Sequence, residues 1–274
     1  PVNVADLAAK ITPATKLVWL EAPGSVTMEF PDLIAQVQLC KQQGVLCVLD
    51  NTWGAGLAFQ PFDLLRDAAT AGDKGSLAVD ATVHALTKYP SGGGDVLMGS
   101  IITRSDELFR KLAASHMHMG FCVGMNDAEA VLNGLPSMPL RYQKADANAR
   151  ALAQWCARQP QFVQVLHPSL PDSPGHAAWK KICCTTENPQ GAAAGLLSVI
   201  VDDACSQEQV DAFCESLHLF RIGYSWGGPI SLVMAYDVAA LRSQWPAHLR
   251  QGKLVRLSTG LEDADDLIAD LQQA

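Results

Sequence analysis

The sequence predicts an α/β protein: a mostly parallel sheet in the first half, followed by a smaller α+β region. Val45-Leu-Cys-Val-Leu49 is a wholly apolar run of strand length that ends in Asp50, the pattern of a parallel strand covered on both faces. Short apolar runs alternate with helically spaced segments through the first half, as expected for strand–helix layers. Gly134-Leu-Pro136-Ser-Met-Pro139 then interrupts the order, because two prolines three apart do not fit inside a regular helix. The chain therefore divides into regions 1–135 and 136–274.

Taken in order, Asp6 to Ile11 reads as a helix and Leu17 to Leu20 as a strand stopped by Pro23-Gly24-Ser25. Asp32 to Gln43 carries apolar residues at 33, 34, 37 and 39, a mostly helical spacing, with Gly44 as its C-cap. Val45–Leu49, Val79–Leu86 and Val96–Ile102 read as strands, and Glu107–Ala114 as a helix. Leu64 to Ala78, rich in Ala, Gly, Asp and Lys, reads as a surface loop. Beyond the boundary, Arg141 to Gln159 reads as one long helix stopped by Pro160. Phe162–Leu166 and Leu196–Val201 read as strands. Ser206-Gln-Glu-Gln209 is a capping box opening a helix to Leu217. Val255–Leu257 reads as a last short strand and Asp263–Leu271 as an amphipathic last helix.

Composition narrows the function. The 274 residues are 49% hydrophobic and 18% charged, which excludes disorder. A net charge of −8 argues against a nucleic-acid partner. The longest small apolar stretch, Gly191 to Val201, is too short to span a bilayer, and no signal peptide is evident. Pro1 is followed at once by interior-type sequence, so the chain reads as starting partway through a domain. A soluble cytoplasmic protein is expected. Its eight cysteines lie mostly in apolar runs and read as reduced, buried thiols. Cys183-Cys184 is not a CxxC pair, and His116-x-His118 stands without further ligands, so no metal site is expected.

Four segments could carry chemistry. Asp50 lies at the carboxyl end of an apolar strand, where ligands of open α/β sheets bind. There it can partner a cationic ring nitrogen or a metal, or simply cap the next turn. Lys88, in Thr87-Lys88-Tyr89-Pro90-Ser91-Gly-Gly-Gly94-Asp95, follows a strand. Held dry, its amine becomes a nucleophile, with Thr87 beside it for a phosphate; the alternative is a surface lysine next to a turn. Tyr224-Ser225-Trp226-Gly-Gly228 reads by itself as a turn. Arg256, inside Leu254-Val-Arg-Leu257, needs a bidentate partner, either a substrate carboxylate or an internal salt bridge.

Together with Leu20-Glu-Ala-Pro-Gly-Ser25, Asp50-Asn-Thr-Trp53 and Gly260-Leu-Glu-Asp263, these segments resemble the cysteine/methionine-metabolism family of pyridoxal 5′-phosphate enzymes, fold type I. The resemblance covers essentially the whole chain. Pro-Gly-Ser and Ser-Trp-Gly-Gly are similar to its cystathionine β-lyase branch. The resemblance implies that Lys88 holds the cofactor as a Schiff base and later shuttles protons. It implies that Asp50 pairs with the pyridinium nitrogen, that Thr87 binds the phosphate, and that Arg256 grips the substrate α-carboxylate in a pocket shaped by Ser225 and Trp226. The implied reaction is α,β-elimination of L-cystathionine to homocysteine, pyruvate and ammonia, in a homodimer or homotetramer. A γ-lyase, γ-synthase or sulfhydrylase on the same scaffold, or a non-catalytic relative, is the alternative. The chain departs from the family in three places. Its N-terminal third has no counterpart here, the stretch from Asp50 to Lys88 is longer than usual, and Pro90 to Gly94 replaces a Gly-His-Ser turn.

Overall fold

A computed structural model describes residues 3–65, 77–238 and 245–274. Two sheets organise the chain. The first has the order β1-β2-β3-β4, formed by Leu17–Glu21, Leu46–Asp50, Ala81–Ala85 and Gly99–Thr103. β1, β2 and β3 are parallel, with Leu17 opposite Leu46 and Asp50 opposite Val83. The expected fourth strand is present but shorter than Val96–Ile102 and antiparallel to β3. Most of the expected loop at Leu64–Ala78 falls outside the described residues.

Helix α1 (Val4–Lys10) is capped by Asn3 and α2 (Leu33–Gln42) by Asp32, whose carboxylate accepts from the Ala35 N–H at 3.0 Å. Gly44, at φ +65°, takes the left-handed turn that frees the chain into β2. One face of this sheet buries Val18, Leu20, Cys47 and Leu49 against α2. The other face presents Trp19 at 58% exposure, with Leu17, Leu46 and Ile101 also exposed. Asp50 lies on this second face by strand periodicity.

Helices α3 (Asp106–His118) and α4 (Met125–Gly134) follow. The expected break at Gly134–Pro139 is a single 3₁₀ turn, Leu135–Ser137, leading directly into α5 (Met138–Cys156). Both prolines sit in first-turn positions, where a missing N–H removes no helical hydrogen bond. The long helix accordingly starts three residues earlier than Arg141.

The second sheet has the order β5-β6-β9-β8-β7. Its strands are Phe162–Leu166, Leu196–Asp202, Gly252–Ser258, Leu232–Tyr236 and Arg221–Ile222, in that order. β9 is not the short terminal strand expected at Val255–Leu257. It spans seven residues and lies between β6 and β8. β6 feeds two cores at once: Leu196 and Ile200 pack toward the first sheet, while Leu197, Val199 and Val201 pack beneath α5 and the last helix, Ala264–Gln273. Helix α6 (His176–Cys183) packs Trp179 into the first of these cores. The Ser206–Gln209 capping box opens α7 (Gln207–Ser216) as the sequence indicates. Cys40, Cys47, Cys156, Cys183 and Cys214 are buried free thiols, whereas Cys122 is exposed. Among the described residues no helix is long and apolar enough to cross a membrane.

Candidate active site

Asp50 ends β2, and the chain turns immediately after it. Its carboxylate accepts from the Thr52 N–H at 3.0 Å, and the Thr52 hydroxyl accepts from the Ala85 N–H at 2.9 Å. The turn is thereby fastened to β3, the strand that leads to Lys88. Asp50, His84, Ala85 and Thr87 line one open cleft of about 810 Å³, walled on the far side by Phe109, Leu112 and His116 of α3. Two candidates distant in sequence, Asp50 and Thr87, thus share a cavity at the strand ends, the location expected for ligands of such sheets. Burial holds the His84 imidazole below its ordinary pKa, against the opposing pull of the Asp50 charge.

Lys88 leaves the same turn but faces the second sheet. Its Nζ donates to Ser225 Oγ at 2.9 Å and lies 5.0 Å from the centre of the Trp226 ring. Desolvation, then the Arg256 charge, lowers its pKa from the ordinary 10.5. A lowered pKa increases the fraction of free amine, the nucleophilic form. Ser225 and Trp226 reach Lys88 because the Tyr224–Gly228 turn packs on the Lys88 segment. Gly227, at φ +73°, comes so close to Tyr89 and the Lys88 Cβ that any side chain there would be crowded.

Arg256 is 3% exposed. Its Nη2 donates to the carbonyls of Tyr224 (2.5 Å) and Ser225 (3.3 Å), and its Nη1 to that of Ser25 at 3.4 Å. Its Cζ lies 5.1 Å from the Tyr236 ring centre. No carboxylate pairs with it among the described residues. A buried cation without a counter-ion is costly, and the arrangement is therefore suited to an anionic ligand. The salt-bridge alternative for Arg256 is not what the structure holds.

Lys88, Ser225, Trp226 and Arg256 thus form one group and Asp50 and Thr87 a second. The Thr87–Lys88 peptide joins the two. Sequence reasoning passed over three neighbours. Glu21 is the register partner of Asp50 across β1 and β2; desolvation, then the Asp50 charge, raises its pKa to about 6. His84 lies in the same cleft, and Tyr236 on Arg256. Tyr236 closes the run Leu232-Val-Met-Ala-Tyr236, whose strand length was the available signal.

The family described as Cys/Met metabolism PLP-dependent enzyme matches residues 1–274. The cystathionine beta-lyase of Bordetella avium is 33% identical over 270 residues, covering 98% of this chain and 63% of that protein. The chain therefore spans somewhat less than two thirds of that relative's length. Among solved structures, metB from Corynebacterium glutamicum superposes with a TM-score of 0.83 at 28% identity, covering 99% of this chain and 65% of that one. Apo CalE6, a methionine gamma lyase from Micromonospora echinospora, superposes at 0.80 and 28% identity, over 99% and 66%. The two sheets are thus those of the type I pyridoxal-phosphate fold. By sequence match, by fold and by the strand-end placement of its lysine and aspartate, the chain belongs to the Cys/Met metabolism PLP-dependent enzyme family.

Proposed function

We propose that the chain carries the lysine-bearing portion of a pyridoxal-phosphate-dependent carbon–sulfur lyase that performs α,β-elimination on L-cystathionine. The donor set fits the cofactor: a carboxylate for the ring nitrogen (Asp50), a hydroxyl for the phosphate (Thr87) and an amine with lowered pKa for the aldehyde (Lys88). When bound, pyridoxal phosphate supplies an electron sink for the bond broken at Cα. Asp50 keeps the proton on the ring nitrogen. Arg256 binds the substrate α-carboxylate and so aligns Cα with Lys88 Nζ. Lys88 takes the Cα proton and delivers a proton to the departing homocysteine sulfur. Ser225 orients the amine through its 2.9 Å contact, and the Trp226 ring shields it from water. Water then releases pyruvate and ammonia.

The observation that carries this reading is Lys88 itself: an amine held by Ser225 at 2.9 Å, its pKa lowered by desolvation and then by the charge of a buried arginine that no carboxylate pairs with among the described residues. Both β-lyase and γ-lyase chemistry occur among the relatives, so γ-elimination is the competing reading. The regions 1–135 and 136–274 are the proposed cofactor-binding and C-terminal domains, and the proposed assembly is a homodimer or homotetramer. Borohydride reduction in the presence of pyridoxal phosphate, followed by peptide mass mapping, should place the pyridoxyl mass on Lys88 and find none in Lys88→Ala. A separate, unreduced sample of the cofactor-loaded protein should yield pyruvate from cystathionine. A product of 2-oxobutyrate alone would sink the β-lyase assignment, and an adduct that avoids Lys88 would sink the cofactor assignment.

A further inference from the structure

We propose that Tyr236 is a positioning residue for Arg256, holding the guanidinium fork in the orientation that receives a substrate carboxylate. The proposal rests on the reading of Arg256 as the carboxylate clamp. β8 and β9 are antiparallel with Met234 opposite Arg256, so Tyr236, two residues along, is a diagonal neighbour of Arg256 on the same face. The guanidinium carbon lies 5.1 Å from the Tyr236 ring centre, a cation–π separation. The Tyr224 ring meets Tyr236 edge-on at 5.8 Å and 78°, which limits rotation of the Tyr236 ring.

The other partners of Arg256 are backbone carbonyls on two connecting segments, Ser25 and Tyr224–Ser225. Tyr236 is its contact from a neighbouring strand, and strands hold their side chains more firmly than loops do. The choice of a phenol also matters electrically. An Asp or Glu at this place would neutralise the guanidinium and compete with the incoming carboxylate. A ring face stabilises the cation while leaving its full charge available.

The test uses cofactor-loaded protein and calorimetric titration with 3-(methylthio)propionate, which has a carboxylate and a thioether but no amine to react. 3-(Methylthio)propionamide is the uncharged control. Wild-type protein should bind the carboxylate and discriminate against the amide. Tyr236→Leu, which loses the ring, should weaken carboxylate binding about fivefold, the factor for a cation–π contact of about 1 kcal/mol, and leave the amide unchanged. Tyr236→Phe, which keeps the ring face, should bind the carboxylate within about twofold of wild type. Unchanged carboxylate affinity in Tyr236→Leu would overturn the proposal, as would an equal loss for the amide, which marks a general structural role. Failure of the wild type to discriminate would overturn it together with the Arg256 reading. The Lys88 adduct is a separate measurement and reports on the cofactor alone.

Discussion

Two buried tyrosines make opposite predictions from nearly the same place. Tyr89 and Tyr142 have ring centres 4.8 Å apart, and both are fully enclosed. The Tyr89 hydroxyl accepts from the Gly195 N–H at 2.8 Å and so ties the Lys88 turn to the start of β6. The Tyr142 hydroxyl has no partner among the described residues. Tyr89→Phe strands a buried amide, which costs about 1–3 kcal/mol. At about 2 kcal/mol, and about 2–4 °C per kcal/mol for a chain of this size, the midpoint should fall by roughly 4–8 °C. Tyr142→Phe removes an oxygen that has only lost its hydration, so its midpoint should stay within about 2 °C of wild type or rise. Differential scanning calorimetry of both variants at neutral pH decides the matter. Equal shifts, or a larger loss in Tyr142→Phe, would refute the hydrogen-bond argument.

Three further outcomes follow from the charged groups. In cofactor-free protein, Arg256→Gln should move the Lys88 titration midpoint upward, because a neighbouring positive charge is removed; NMR of reductively ¹³C-methylated lysines, assigned with Lys88→Arg, reads it, and an unmoved midpoint counts against the coupling. Since the fold lowers this pKa, the unfolded chain binds more protons in the window just below 10.5, and the Lys88 contribution makes stability rise with pH there. Burial alone would raise the Asp270 pKa, but the N–H groups of His218, Leu219 and Phe220 donate to it and bring it below the ordinary 3.8. That stability is present above pH 3.8 and is lost as pH falls through the folded pKa. Asp270→Asn should therefore be less stable than wild type at neutral pH, with the gap closing in acid; a gap independent of pH would contradict the three-bond account.

Much of the first sheet was legible locally. β2 is legible as an apolar run of strand length, and Gly44 before it accepts a left-handed φ at no steric cost, but the cover expected on both faces is incomplete, since Leu46 is exposed on the Trp19 face. Asp32 and Ser206 announced their helices because a cap is a contact within three residues. The chemistry-bearing residue types, Asp50, Lys88 and Arg256, were legible for a related reason: each is a charge beside an apolar run, a placement that folding does not favour without a use. What periodicity could not supply was long-range pairing. Nothing within Val255–Leu257 tells that β9 lies at the centre of a sheet, since its neighbours β6 and β8 come from elsewhere in the chain. The antiparallel direction of β4 likewise depends on its partner and not on its own residues.

The same division holds at the site. Residue identity determined which groups can act, because an amine, a carboxylate and a guanidinium are chemical facts of the sequence. Tertiary structure alone decided their state. Lys88 loses part of its affinity for a proton only because burial excludes water from it and, second, because Arg256, far along the chain, is brought near. Arg256 has no carboxylate partner among the described residues, and β8 sets a tyrosine beside it. Reactivity of this kind is a property of distance and dielectric, and both are fixed when the two sheets pack together.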